Sequence, residues 1–354
     1  MKNIVLFAAC FLLLLSGALV EGGRRLSNRS HRRHRSYKMF VFGDSFVDVG
    51  NVPSSWNNLT SRGWNYPYGS SDSAHNYRAT GRFSDGMVQA DFVANILGLD
   101  ESPPAYRTLG PNADVDASGV NFAVGSTGVL LGTPTLGQQV EQMRALVRSG
   151  AIEKRDLEHS VALISTSAGK DYGRISGEST TDDMMALSRG VTDGIKDVVK
   201  QLQNMGVSKV LVNSMPPMGC TPWEAVHNNY THCESRGNMV ADVHNTALRQ
   251  RLDAELEDGG VLLLDLNYII KGILQDGGVG QGQFTSKFSS CCHGTVSGAY
   301  CGQVDSMGRP QYIVCGDRDR SFYWDYMHPS QAAWNAIMRP LEDRIKDFIE
   351  DDES

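Results

Sequence analysis

The chain has 354 residues, 41% hydrophobic and 21% charged, a composition that suits one large soluble α/β domain and excludes a membrane bundle or a wholly disordered chain. Its formal charge of −7 is unevenly spread: the leader to residue 38 carries +7, so residues 39–354 carry −14. An acidic body argues against nucleic acid as the partner or substrate.

The first 23 residues have the layout of a secretory signal. Lys2 supplies the positive end, residues 4–15 the apolar stretch, and Ser16-Gly17-Ala18 and Gly22-Gly23 the small residues of a cleavage site. The apolar run is too short for stable membrane insertion, so the expected destination is outside the cell. Residues 24–38 form a basic arm of seven Arg and Lys with no acid, expected to be a solvated, disordered tail. Residues 39–354 are expected to form one domain, since no linker or internal repeat divides them.

From residue 39 onward, strand-like and helix-like segments alternate, the pattern of a mostly parallel sheet covered by helices on both faces. Short apolar runs at 39–42, 161–165, 209–213 and 261–264 read as strands buried on both sides. Residues 86–97, 137–147, 182–205, 236–256 and 330–349 read as helices, with Gly206 ending the third. Two long segments have no such periodicity, 52–80 and 277–319. Loops of that length inside a compact domain are functional or tied by disulfides. The first carries Trp56, Trp64, Tyr66 and Tyr68, readable either as packing or as the lining of a sugar or acyl site.

Removing Cys10 with the signal leaves Cys220, Cys233, Cys291, Cys292, Cys301 and Cys315. An even number in an exported chain implies three disulfides, with fifteen possible pairings. Cys220 with Cys233 is the local choice, which leaves Cys291 and Cys292 to bridge Cys301 and Cys315 in either order. Zinc is the alternative, but no CxxC spacing supports it, and no cofactor motif is present. Asn28, Asn58 and Asn229 each begin an Asn-x-Ser/Thr sequon.

The chemistry is concentrated at the two ends of the mature chain. The first strand delivers Gly43-Asp44-Ser45, which places a serine at a strand's carboxyl end, where parallel α/β sheets hold their sites. Near the other end, Asp325-Tyr326-Met327-His328-Pro329 puts an acid and a histidine three residues apart. A histidine oriented by a carboxylate is what a serine hydroxyl needs to become a nucleophile. Asp44 reads as a ligand for backbone amides in its own turn, and Asp48 as a cap of the turn that follows.

These segments resemble the plant GDSL esterase/lipase family of the SGNH hydrolase superfamily. Phe42-Gly43-Asp44-Ser45 with Asp48-Val49-Gly50-Asn51 is similar to the family's first block. Gly81-Arg82-Phe83-Ser84-Asp85-Gly86 is similar to its second signature, and Gly119-Val120-Asn121-Phe122-Ala123-Val124-Gly125-Ser126-Thr127-Gly128 to its glycine block. Asp325 to Pro329 matches the last, so the resemblance spans nearly the whole mature chain. It implies a three-layer α/β/α sandwich and hydrolysis of carboxylic esters, of acyl lipids or of acetylated polysaccharide. It also implies Ser45 as nucleophile, His328 as base and Asp325 as the acid that orients it. The family's oxyanion hole would combine the Ser45 N–H, a glycine N–H and an asparagine side chain. Gly125 is the expected glycine, with Ser126 the alternative register.

The departure is Ala168-Gly169-Lys170-Asp171, where the family pattern is Gly-x-Asn-Asp. Lys170 stands where the neutral amide donor is expected. Either its ammonium serves the oxyanion, or it pairs with Asp171 or another acid and leaves the hole one donor short. Its charge would also oppose the protonated His328 formed in the transition state. The alternative to an ordinary esterase is therefore a catalytically weakened member that binds glycan or lipid.

Overall fold

The computed structural model describes residues 37–56, 59–110, 114–275 and 282–350. The signal, most of the arm, Asn28 and Asn58 lie outside these residues. Lys38, assigned to the arm from sequence, instead opens the first strand opposite Ser160.

Five parallel strands form the central sheet: β1 (Lys38–Gly43), β2 (Gly119–Asn121), β3 (Ser160–Ser165), β4 (Lys209–Asn213) and β5 (Val261–Leu264), in the spatial order β2-β1-β3-β4-β5. All four strands expected from sequence are present. The fifth, β2, has three residues inside the glycine block, too short to show a pattern. The helices in chain order are α1 (Gln89–Ile96), α2 (Leu136–Ser149), α3 (Lys154–Glu158), α4 (Gly169–Tyr172), α5 (Thr181–Met205), α6 (Pro222–Ala225), α7 (Ser235–Arg251), α8 (Asp253–Glu257), α9 (Leu266–Leu274), α10 (Gln331–Met338) and α11 (Glu342–Glu350).

Alternation along the strands builds two cores. Met39, Val41, Val161, Leu163, Leu211 and Leu262 face one layer, which is completed by α1, α9, α10 and α11. Phe40, Phe42, Ala162, Ile164, Val210 and Val212 face the other, completed by α2, α5 and α7. The result is a three-layer α/β/α sandwich. Gly206 ends α5 at φ 106°, as its position in the sequence implies. The expected helix 330–349 is broken by a 3-10 turn at Arg339–Leu341, because Pro340 has no N–H to continue the α-helical ladder. Similarly, 236–256 divides at Leu252 into α7 and α8.

The segment 277–319 is not featureless. It contributes β6 (Ser286–Ser290), β7 (Cys292–Gly294) and β8 (Tyr312–Val314), with β9 (Ser321–Tyr323) pairing β6. Cys291–Cys315 and Cys292–Cys301 tie this region together, and Cys220–Cys233 closes the local loop expected for it.

Topology positions the site. The chain passes from β1 to β2 on one side and then returns to β3 on the other, so the connections leaving β1 and β3 diverge. A crevice at such a switch point, outside the carboxyl ends of the strands, is where α/β sheets bind ligands.

Candidate active site

Ser45 lies just beyond β1 at this switch point. The turn that presents it requires glycine at position 43, where φ is 142° and a Cβ would stand 1.8 Å from the Ser165 carbonyl oxygen. Asp44 is buried and accepts the N–H groups of Phe46 (3.1 Å) and Ser167 (2.7 Å) and the Ser167 hydroxyl (2.7 Å). It therefore ties the end of β1 to the end of β3. Burial pushes its carboxyl above the usual range, against these bonds. Ser45 itself is half-buried, and among the described residues its N–H has no partner.

The acid and the histidine share one tight turn. Tyr323 bridges Pro329, and Trp324 N–H donates to the His328 carbonyl at 2.7 Å. Inside the turn, Asp325 Oδ1 accepts the N–H groups of Met327 and His328, each at 2.9 Å. The His328 ring then spans the remaining gap. Its Nδ1 lies 2.7 Å from Asp325 Oδ1 and its Nε2 2.8 Å from Ser45 Oγ. Donation from Nδ1 to the carboxylate assigns the tautomer in which Nε2 is free to accept the serine proton. Asp325 is fully buried, and burial alone would raise its pKa. The charges of His328 and Arg62, with hydrogen bonds from His328 and Tyr68, hold it well below the ordinary carboxylate range.

The segment 52–80 supplies two partners of this acid that sequence reasoning did not single out for the role. Tyr68 donates its hydroxyl to Asp325 Oδ2 at 2.7 Å, and Arg62 Nε lies 3.1 Å from the same oxygen. Tyr68 is packed against Trp324, Cys291, Cys292 and Cys301, so the two neighbouring disulfides form the floor on which it rests. Of the aromatics expected either to pack or to line a site, Tyr68 is a buried ligand of the acid. Trp64 donates to the Val52 carbonyl at 2.7 Å, while Trp56 and Tyr66 are exposed.

The second signature braces the other side. Phe83 stacks on the His328 ring with centroids 5.1 Å apart, and Asp85 accepts the first N–H of α10 at 2.8 Å, just after the histidine. Arg82 forms a bidentate pair with Asp91 at 2.9 and 2.8 Å.

The glycine block requires a change of register. Gly125, expected to offer its N–H to an oxyanion, donates it to Asp48 Oδ2 at 2.7 Å. Asp48 also collects the N–H groups of Gly50, Asn51 and Val52, so it joins the nucleophile segment to the glycine block as well as closing its own turn. Burial raises its pKa to about 6. The next residue, Ser126, is exposed with φ 67°, and among the described residues its N–H has no partner. In the segment 122–129 each other N–H is engaged within the protein.

Lys170 is exposed at the start of α4 and makes no hydrogen bond or ion pair among the described residues. Pairing with Asp171, one of the two alternatives for this lysine, is absent for a plain reason. Asp171 is fully buried and its two oxygens accept the N–H groups of Val129 (2.7 Å), Leu130 (3.0 Å) and Leu131 (3.0 Å). Asn229 is exposed with φ 58°, in a position open to modification. No group of His, Cys, Asp and Glu among the described residues is arranged to hold a metal.

A doubly wound sheet with a serine, a histidine and a buried carboxylate at its switch point is the framework of an α/β ester hydrolase. Comparison with known proteins makes the class specific. The model of the GDSL-like lipase/acylhydrolase family matches residues 39–341, and the chain belongs to this family. One GDSL esterase/lipase of Arabidopsis thaliana is 29% identical over 360 residues, covering 98% of both chains. Another from the same plant is 31% identical over 326 residues, covering 89% of this chain and 90% of its own. Among solved structures, a carbohydrate acetylesterase from Sinorhizobium meliloti superposes with a TM-score of 0.41 at 12% identity, covering 88% of this chain and 98% of that one. That likeness is too loose to add to the family assignment.

Proposed function

We propose that this chain is a secreted serine esterase or lipase that cleaves carboxylic esters of acyl lipids or acetylated glycans through Ser45, His328 and Asp325. The observation that carries this reading is the continuous bonding from Ser45 Oγ through His328 to Asp325, at 2.8 and 2.7 Å. His328 removes the serine proton as Oγ attacks the ester carbonyl. Asp325 stabilises the imidazolium formed, which then protonates the leaving alcohol. Water repeats the sequence on the acyl-enzyme. The N–H groups of Ser45 and Ser126 are the donors that meet the oxyanion, and Lys170 stands at the sequence position of the third without being held in place as a donor.

A cavity of about 380 Å³ adjoins the site. Ser167, Gly169 and Met327 line its near side, with Ile175, Met218 and Trp223 farther off. Glu224, Glu234 and Arg236 also line it, so the cavity offers both apolar and charged walls to the acyl or alcohol portion of an ester. Export is supported by the leader sequence and by three disulfides, which persist in oxidising compartments. Among the described residues no helix is long and apolar enough to cross a membrane.

The second reading, a weakened member that binds glycan or lipid, rests on Lys170, which is exposed and unpartnered where the family has a compact amide. Hydrolysis of short- and long-chain p-nitrophenyl esters by wild type beside Ser45→Ala separates the two. Turnover lost in Ser45→Ala supports the esterase. Absence of Ser45-dependent turnover on every chain length supports the binder.

A further inference from the structure

A serine–histidine–aspartate relay has no need of a buried cation, yet one is present. Arg62 is 5% exposed and sits in the 3-10 turn Arg62–Trp64, within the segment 52–80. Two of its three guanidinium nitrogens are hydrogen-bonded. Nε lies 3.1 Å from Asp325 Oδ2 and 2.9 Å from the Tyr68 hydroxyl, while Nη1 donates to the Leu59 carbonyl at 2.7 Å. Its faces are covered by the rings of Tyr326, 4.8 Å from Cζ to the centroid, and Phe83, at 5.3 Å. A guanidinium so held cannot turn away or exchange its partners for water.

The remaining nitrogen, Nη2, lies 3.4 Å from His328 Nδ1. Nδ1 carries the hydrogen that is donated to Asp325, so Nη2 faces another donor and makes no hydrogen bond there. The contact places a fixed positive charge beside the ring edge of His328. On its other sides the imidazole meets the Ser45 hydroxyl and the rings of Phe46 and Phe83.

The geometry points to Arg62 as a positioning residue of this site. With Tyr68 it holds Asp325 Oδ2, so that Oδ1 stays in the orientation that receives the His328 Nδ1 hydrogen. This inference rests on the serine-esterase reading above. The orientation of the catalytic acid is thus set by a residue contributed by the loop after the nucleophile, not by the triad itself.

The test is kcat and KM, determined separately for p-nitrophenyl acetate in wild type, Arg62→Met, Arg62→Gln and Arg62→Lys, with folding followed by circular dichroism. The two neutral variants should lose about tenfold in kcat while KM holds, because a misoriented acid fails the base in the transition state. Arg62→Lys, which keeps a cation beside Asp325, should recover part of that loss. Unchanged kcat in both neutral variants overturns the inference, as does an equal loss in Arg62→Lys. Failure of both neutral variants to fold overturns it as well, in favour of a purely structural role. Wild type without Ser45-dependent hydrolysis would instead overturn the esterase reading, so the two failures are distinguishable.

Discussion

The Tyr68 hydroxyl donates to Asp325 Oδ2 at 2.7 Å across 257 positions of sequence, with neither side chain exposed. A hydrogen bond to a buried charge contributes more than one between neutral groups, about 1.5–3 kcal/mol. Tyr68→Phe keeps the ring against Trp324 and the disulfides and removes only this bond. We expect its unfolding free energy in urea to fall by about 1.5–3 kcal/mol, and kcat to drop while KM holds. A change under about 0.5 kcal/mol would show that Arg62 alone suffices for the acid.

Ser45 should be the residue labelled by a fluorophosphonate probe, since only a serine activated by a base attacks it well. His328 Nε2 is 2.8 Å from its oxygen. Mass spectrometry of the labelled peptide locates the adduct. Labelling on another serine, or undiminished labelling of Ser45→Ala, contradicts the assignment of the nucleophile.

Ser126 holds a left-handed backbone at φ 67°. A non-glycine residue in that region stores about 1–3 kcal/mol of strain. Ser126→Gly should therefore hold or raise the melting temperature and leave kcat near the wild-type value, because the N–H remains. Gly125→Ala should be harmful, because its Cβ would stand 2.8 Å from Phe83 and 2.9 Å from Val52, behind the histidine. A large loss of kcat in Ser126→Gly would mean that the hydroxyl, and not the amide, does the work.

Lys170→Asn should raise kcat by about tenfold or more with a smaller effect on KM, as restoring an oxyanion donor acts mainly in the transition state. The lysine has no partner among the described residues to hold it in place. A preorganised amide should serve better than a free ammonium. Steady-state kinetics on one p-nitrophenyl ester decides the matter, and a flat or falling kcat would show that the lysine has taken over the role.

Acid should unfold the protein partly through His244. It is buried on α7, 2.9 Å from the Tyr172 hydroxyl, and burial lowers its pKa from 6.5 to about 4. The folded state therefore resists the proton that the unfolded state accepts. Its contribution is complete above pH 6.5 and is lost as pH falls through 4, a total of about 3 kcal/mol. Urea melts at pH 7 and pH 4 should show a smaller pH dependence in His244→Gln than in wild type. Equal dependence in the two proteins would exclude this residue as the sensor.

Much of this molecule is written locally in its sequence. The runs at 39–42, 161–165, 209–213 and 261–264 became strands because continuous apolar residues suit a sheet buried on both faces. Gly43-Asp44-Ser45 and Asp325-x-x-His328 stood out because a short strand exit and a three-residue spacing are themselves local geometries. The partners of these groups are a different matter. Arg62 and Tyr68 reach Asp325 only because an irregular segment folds back over the second half of the chain, and no periodicity reports such a path. Which of Gly125 and Ser126 offers its N–H depends on a dihedral angle and on where Asp48 points. Asp171 ignores its neighbour Lys170 because three amides of a distant loop converge on its buried carboxylate. The pairing of Cys291 with Cys315 and Cys292 with Cys301 depends likewise on how β7 meets β8. Residue types and spacings determine which groups are available for chemistry. Which of them touch is decided by burial, where each polar atom must find a partner wherever the packed chain brings one.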